Sequence, residues 1–129
     1  GNKDILAEIA IAGKYPYYKF YKAIAFQNGD YGLGIISKYP INDVSVTQLK
    51  NCKEQRIVVH SQIQLKELEI DFLVTHFELG SYEDVRYHQF EQVKSIIKPL
   101  NHFILTGDFN VQDWTQKDNI FNLFELINI

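Results

Sequence analysis

The spacing of apolar and polar residues changes several times along this chain, and each change marks a predicted element. Ile5, Leu6 and Ile9 recur at helical spacing, with Asn2 or Asp4 placed to cap the start and Gly13 to stop it. An amphipathic helix lying against a sheet is expected there. From Tyr17 to Phe26 aromatic and aliphatic residues alternate with lysines, Gln27-Asn28-Gly29-Asp30 supplies hairpin turn chemistry, and a second strand begins at Leu33 and is ended by Pro40. Val44 to Thr47 reads as a short strand. Arg56 to Leu65 reads as a longer one, with Ile57, Val59, Ser61, Ile63 and Leu65 on one face. After a turn at Lys66-Glu67, the run from Ile70 to Thr75 is the next strand. Ser81 with Asp84 three residues on has the form of a capping box, opening a long helix. Its apolar face is Val85, Phe90, Val93, Ile96, Ile97 and Leu100, and Pro99 closes it. A strand from Phe103 to Thr106 follows, then a loop through Trp114, and Ile120, Phe121, Leu123, Phe124 and Leu126 suggest a last helix. Hairpin-linked strands with helices before, between and after them predict an α+β fold of mostly antiparallel sheet, with helices packed outside.

Length and composition narrow the picture. With 129 residues, 46% of them hydrophobic, residues 1–129 are expected to form a single domain around one core. Thirteen basic against sixteen acidic side chains leave a formal charge of −3, which argues against a broadly cationic surface that holds nucleic acid by bulk electrostatics alone and leaves a local basic rim open. Lys14, Lys19 and Lys22 interleave with Tyr15, Tyr17, Tyr18, Phe20 and Tyr21, and this is read as a solvated strand face beside a buried one in preference to a ligand contact. Cys52 is the sole cysteine, so no intramolecular disulfide and no cysteine-rich zinc site can form; it is read as an inert loop thiol. No apolar stretch is long enough to span a bilayer, the N-terminus lacks the order of a signal peptide, and the compartment stays open.

Chemistry concentrates where two apolar runs stop. One ends at His76; the other runs through Ile104-Leu105-Thr106 and stops on Gly107-Asp108-Phe109-Asn110. If these strands are neighbours in one sheet, His76, Asp108 and Asn110 share a rim with the composition needed to hold a metal-bound phosphate. Arg86 and Gln89 lie three apart on the long helix, where they can point toward the sheet and brace the loop after His76. The glycine-rich stretch from Gly29 to Gly34 leads into a strand, not a helix N-terminus, and so offers no phosphate cradle. His60, inside a strand, and His88, on the helix, are read as structural.

Tyr31-Gly32-Leu33-Gly34-Ile35-Ile36-Ser37-Lys38-Tyr39-Pro40-Ile41, then Val74-Thr75-His76-Phe77, then Arg86 with Gln89, then Gly107-Asp108-Phe109-Asn110 resemble, in this order, the endonuclease/exonuclease/phosphatase superfamily typified by deoxyribonuclease I. The resemblance implies a four-layer α/β/β/α sandwich and Mg²⁺- or Mn²⁺-dependent cleavage of phosphate esters, in nucleic acid, in a small phosphorylated molecule or in a lipid. It implies that Asp108 orients or deprotonates the attacking water and touches a metal together with Asn110, that Asn110 bonds the phosphorane, and that His76 donates to a phosphate oxygen. Asp30 and Tyr31 stand where some members place a polar partner for the histidine. The family's metal-binding glutamate strand and its terminal Ser-Asp-His motif are not found in this sequence. The chain is therefore expected to be the middle of a truncated catalytic domain, inactive alone and prone to self-association through open strand edges. The alternative is a non-catalytic binding or scaffold module that keeps the fold.

Overall fold

The computed structural model of the protein describes residues 3–79 and 82–111. Its elements in order are α1 (Ile5–Ala12), β1 (Tyr17–Phe26), β2 (Gly29–Ser37), β3 (Ile41–Leu49), β4 (Arg56–Leu65), β5 (Leu68–His76), α2 (Glu83–Ile97) and β6 (Phe103–Asp108). The expected last helix over Ile120 to Leu126, the loop at Trp114, and the caps at Asn2 and Ser81 fall outside the described residues.

β1 and β2 form a two-stranded antiparallel hairpin, while β3-β4-β5-β6 form a second sheet in that order. Gln27 and Asn28 both take positive φ (45° and 61°), the backbone of a type I′ turn, and Phe26 pairs directly with Gly29. The second strand therefore starts at Gly29, four residues before the sequence suggests. Tyr21 and Ile35 on the inner face of the hairpin meet Ile41, Ile57, Val59 and Ile63 of the larger sheet. On that sheet's opposite face, Leu49, Val58 and Leu73 pack against Phe90, Val93 and Ile97 of α2. Leu6 of α1 lies against Gly34 on the hairpin's outer face, where a Cβ would press on its flexible side-chain end. The layers thus run α1, hairpin, four-stranded sheet, α2: an α/β/β/α sandwich in α+β form.

β4 is covered on both faces, which is why seven of the ten residues of Arg56–Leu65 are buried and none is exposed. Ser61, expected on one face with Ile57, Val59 and Ile63, is buried and lies 3.3 Å from the Tyr21 hydroxyl, which also donates to Asp43 at 2.6 Å. Burial, the bond to Asp43 and its negative charge push the Tyr21 phenol up to about 12. Tyr21 is thereby a polar tie between the two sheets. Lys19 pairs with Asp43 (3.0 Å) and Lys22 with Asp30 (2.7 Å), so these two lysines of the basic and aromatic stretch serve the scaffold.

Three expectations need correction. α1 is capped by Asp4, whose Oδ1 accepts from Ala7 N at 2.9 Å, yet Ile5 and Ile9 are 66% and 51% exposed. A two-stranded hairpin is too narrow a platform to cover both. β3 is nine residues long, not four. A bulge between Asp43 and Ser45 reverses the alternation, so Ile41 and Leu49, of equal parity, point into opposite cores. α2 starts at Glu83 with Tyr82 at the N-cap position and no side-chain cap bond, one residue after the start that a cap at Ser81 predicts.

Candidate active site

β5 and β6 are the one parallel pair among the described strands, joined by the crossover through α2. Parallel neighbours end at the same edge of a sheet. In the register His76 stands opposite Asp108, so the two apolar runs deliver their polar ends side by side. The ladder closes with Phe77 N donating to Asp108 O at 2.9 Å.

The close pairing depends on Gly107. Its φ is +148°, and a Cβ built there would lie 1.9 Å from the carbonyl oxygen of Thr75. Only a glycine lets the two backbones approach this closely.

His76 Nε2 lies 3.8 Å from Asp108 Oδ2, longer than a hydrogen bond. Asp108 Oδ1 accepts from the backbone N of Asn110 at 2.9 Å, which holds the carboxylate and leaves Oδ2 toward the imidazole. Asn110 has φ +50°, a conformation asparagine tolerates, and its Nδ2 donates to Phe77 O at 2.8 Å. That bond ties the loop after β6 to the end of β5. The Asp108 side chain is 65% exposed and His76 half-buried, so the three groups form an open rim.

Behind the rim lies a buried charge cluster. Arg56, at the start of β4, is 3% exposed; its Nη1 is 3.2 Å from His76 Nδ1 and its Nη2 is 3.2 Å from Glu54 and 3.9 Å from Glu78. Glu78 is fully buried and accepts from the backbone N–H groups of Cys52, Lys53 and Leu79. Burial alone would raise its carboxyl, but these N–H donors and Arg56 outweigh that and hold it below the usual range. His76 is held below the ordinary imidazole value, first by burial and then by the Arg56 cation, against the opposing pull of Asp108, Glu54 and Glu78.

Gln89 and Arg86 are both buried on α2. Gln89 Oε1 accepts from Glu78 N at 2.9 Å and its Nε2 donates to Lys50 O at 2.7 Å, so it clips the segment after His76 to the loop after β3. Tyr31 shares a small cleft with His76 and Arg56. Asp30 does not reach the site: it pairs with Lys22 instead, because successive strand residues point to opposite faces. The sequence reading missed Arg56 and Glu78. A charged residue directly before the unbroken Ile57-Val58-Val59 run, in a strand buried on both faces, was the available signal for Arg56.

Asp108 and Asn110 offer oxygen donors of the kind a hard divalent cation takes. Among the described residues, however, no group of three His, Cys, Asp or Glu side chains converges on one point. No helix among the described residues is long and apolar enough to cross a membrane.

No family model and no curated protein sequence matches the chain. Solved structures do. Sphingomyelinase C from Streptomyces griseocarneus superposes with a TM-score of 0.67 at 19% identity, over 92% of this chain and 50% of that one. A Danio rerio TDP2 structure complexed with a single-strand DNA product gives 0.64 at 17% identity, over 92% and 46%. A Staphylococcus aureus beta toxin variant with bound magnesium ions gives 0.62 at 20%, over 90% and 51%. The chain thus spans about half the length of the structures it matches. At these identities the shared property is the architecture: the chain has a DNase I-like α/β/β/α fold.

Proposed function

We propose that this chain is the central part of a divalent-metal-dependent phosphoesterase domain, with His76, Asp108 and Asn110 at its catalytic rim. The observation that carries the reading is the direct pairing of His76 with Asp108 at the ends of two parallel strands. Hydrolysis of a phosphate ester demands charge neutralisation and in-line positioning more than a protein nucleophile. Asp108 Oδ2, the oxygen left toward the rim, orients a water and accepts its proton. His76 donates to a phosphate oxygen, and Asn110, fixed by its bond to Phe77, supports the phosphorane oxygens. A Mg²⁺ or Mn²⁺ ion held by Asp108 and Asn110 would neutralise phosphate charge when bound. Arg86 and Gln89 brace the backbone beneath, and Tyr31 borders the cleft. The substrate class is a phosphate ester, whether in nucleic acid, a lipid or a small molecule.

Asp108 is the one carboxylate of this rim among the described residues, and one carboxylate does not hold a hard cation tightly, so the chain is expected to bind Mn²⁺ with a dissociation constant of roughly 1 mM or weaker. It is also expected to be inactive alone. Titrating Mn²⁺ into the labelled chain should broaden NMR signals of Asp108 to Asn110 and His76 before any others, and Asp108→Asn should abolish that selectivity. Broadening centred elsewhere, or unchanged in the variant, would remove the metal site. Metal-dependent hydrolysis by the isolated chain would refute its proposed inactivity.

The same reading includes self-association. Among the described strands β2 pairs only with β1, and β6 only with β5. Between the sheets Ile36, Ile70, Phe72 and Ile104 line an apolar cleft of about 200 Å³. Open edges beside apolar surface recruit further strands. Light scattering behind size exclusion should show a mass that rises with concentration; a constant mass of one chain would count against it.

A further inference from the structure

We infer that Arg56 is a positioning residue that fixes the tautomer of His76, holding the ring with Nδ1 as acceptor and Nε2–H directed to the rim. A guanidinium carries five N–H donors and no acceptor, so the 3.2 Å contact between Arg56 Nη1 and His76 Nδ1 is a hydrogen bond only if Nδ1 presents its lone pair. In neutral imidazole the proton then resides on Nε2, the nitrogen that faces Asp108.

The guanidinium is itself held. Glu54 and Glu78 both face Nη2, Glu78 is locked by three backbone N–H groups, and the Arg56 side chain is 4% exposed. It therefore cannot swing into solvent and release the ring without taking its cation away from the buried Glu78 carboxylate. Arg56 and His76 come from the start of β4 and the end of β5, antiparallel neighbours, so both stand at the same edge of the sheet, where their side chains meet.

A donor at Nε2 is what a phosphate oxygen at the rim requires; an imidazole with its proton on Nδ1 would present a lone pair to that anion and repel it. This consequence rests on the proposed phosphoesterase reading. The tautomer does not, and it can be measured without any activity.

The test is long-range ¹H–¹⁵N correlation of the histidine rings in the full chain at about pH 8, where an ordinary imidazole is neutral. His76 is expected to show a single Nε2–H form, with its Nδ1 signal shifted as for a nitrogen that accepts a hydrogen bond. In Arg56→Met, which keeps most of the side-chain stem, the Nδ1 signal should move toward that of a free nitrogen and a mixture of tautomers should appear. Arg56→Lys, which keeps a charged donor, should lie closer to wild type than Arg56→Met. An Nδ1–H form in the wild-type chain would overturn the inference even if neither variant folds. So would ring shifts unchanged in a folded Arg56→Met chain. Loss of packing alone would shift neighbouring methyl signals but would not move the ring proton from one nitrogen to the other.

Discussion

Gly107→Ala is expected to destabilise the chain by about 3 kcal/mol or more and to uncouple the two halves of the proposed site. At φ +148° an alanine is strained by its own backbone. Its methyl would also sit 1.9 Å from Thr75 O and 2.9 Å from Thr75 C, and these are backbone atoms of a central strand that has nowhere to go. β6 must therefore move away from β5, just where His76 faces Asp108. Chemical denaturation would measure the loss. Amide exchange would locate it: faster exchange at Phe77 N, whose acceptor is Asp108 O, with the β3–β4 ladder retaining most of its protection. Alanine tolerated with unchanged exchange at Phe77 would show that the close approach at Gly107 does not set the site's geometry. Gly34→Ala makes a graded comparison, because the contact there is the far end of the flexible Leu6 side chain, at 2.8 Å, and not backbone.

The sequence made the ends of β5 and β6 legible because an apolar run that stops on a polar residue looks the same whatever surrounds it. His76, Asp108 and Asn110 could be named for that reason. Which strands were neighbours, and in which direction, could not be read from pattern. The parallel pairing follows from the α2 crossover, which returns the chain to the edge it left. Single-residue register changes were equally hidden: the bulge between Asp43 and Ser45 sends Ile41 and Leu49 to opposite cores, and no periodicity in Asn42 to Gln48 announces it. Asp30 and Tyr31 could be placed together as candidates, but strand alternation sends only Tyr31 toward His76. Buried charge was hardest to see. Arg56 and Glu78 each look like an ordinary solvated residue in isolation, and each becomes structural only through the other and through loop N–H groups 25 and 26 residues upstream of Glu78.

Removing that buried carboxylate should have the second large effect. Glu78→Ala is expected to cost about 3 kcal/mol, because it leaves a buried guanidinium with the half-exposed Glu54 as its remaining acid among the described residues and takes the acceptor from three backbone N–H groups. The loop through Cys52 and Lys53 should loosen with it, visible as faster amide exchange at those two residues. Glu78→Gln keeps an oxygen acceptor and the side-chain volume, so it should be milder. The pH dependence separates charge from shape. Because the folded protein holds Glu78 below the ordinary carboxylate value, its contribution is fully present above that value and is lost as the pH falls through the lowered one. The advantage of wild type over Glu78→Gln should therefore shrink in acid and be constant near neutrality. A gap that stays the same from neutral pH down to strongly acid pH would mean that the ionised form of Glu78 is not what secures Arg56, and with it the backing of the His76 rim.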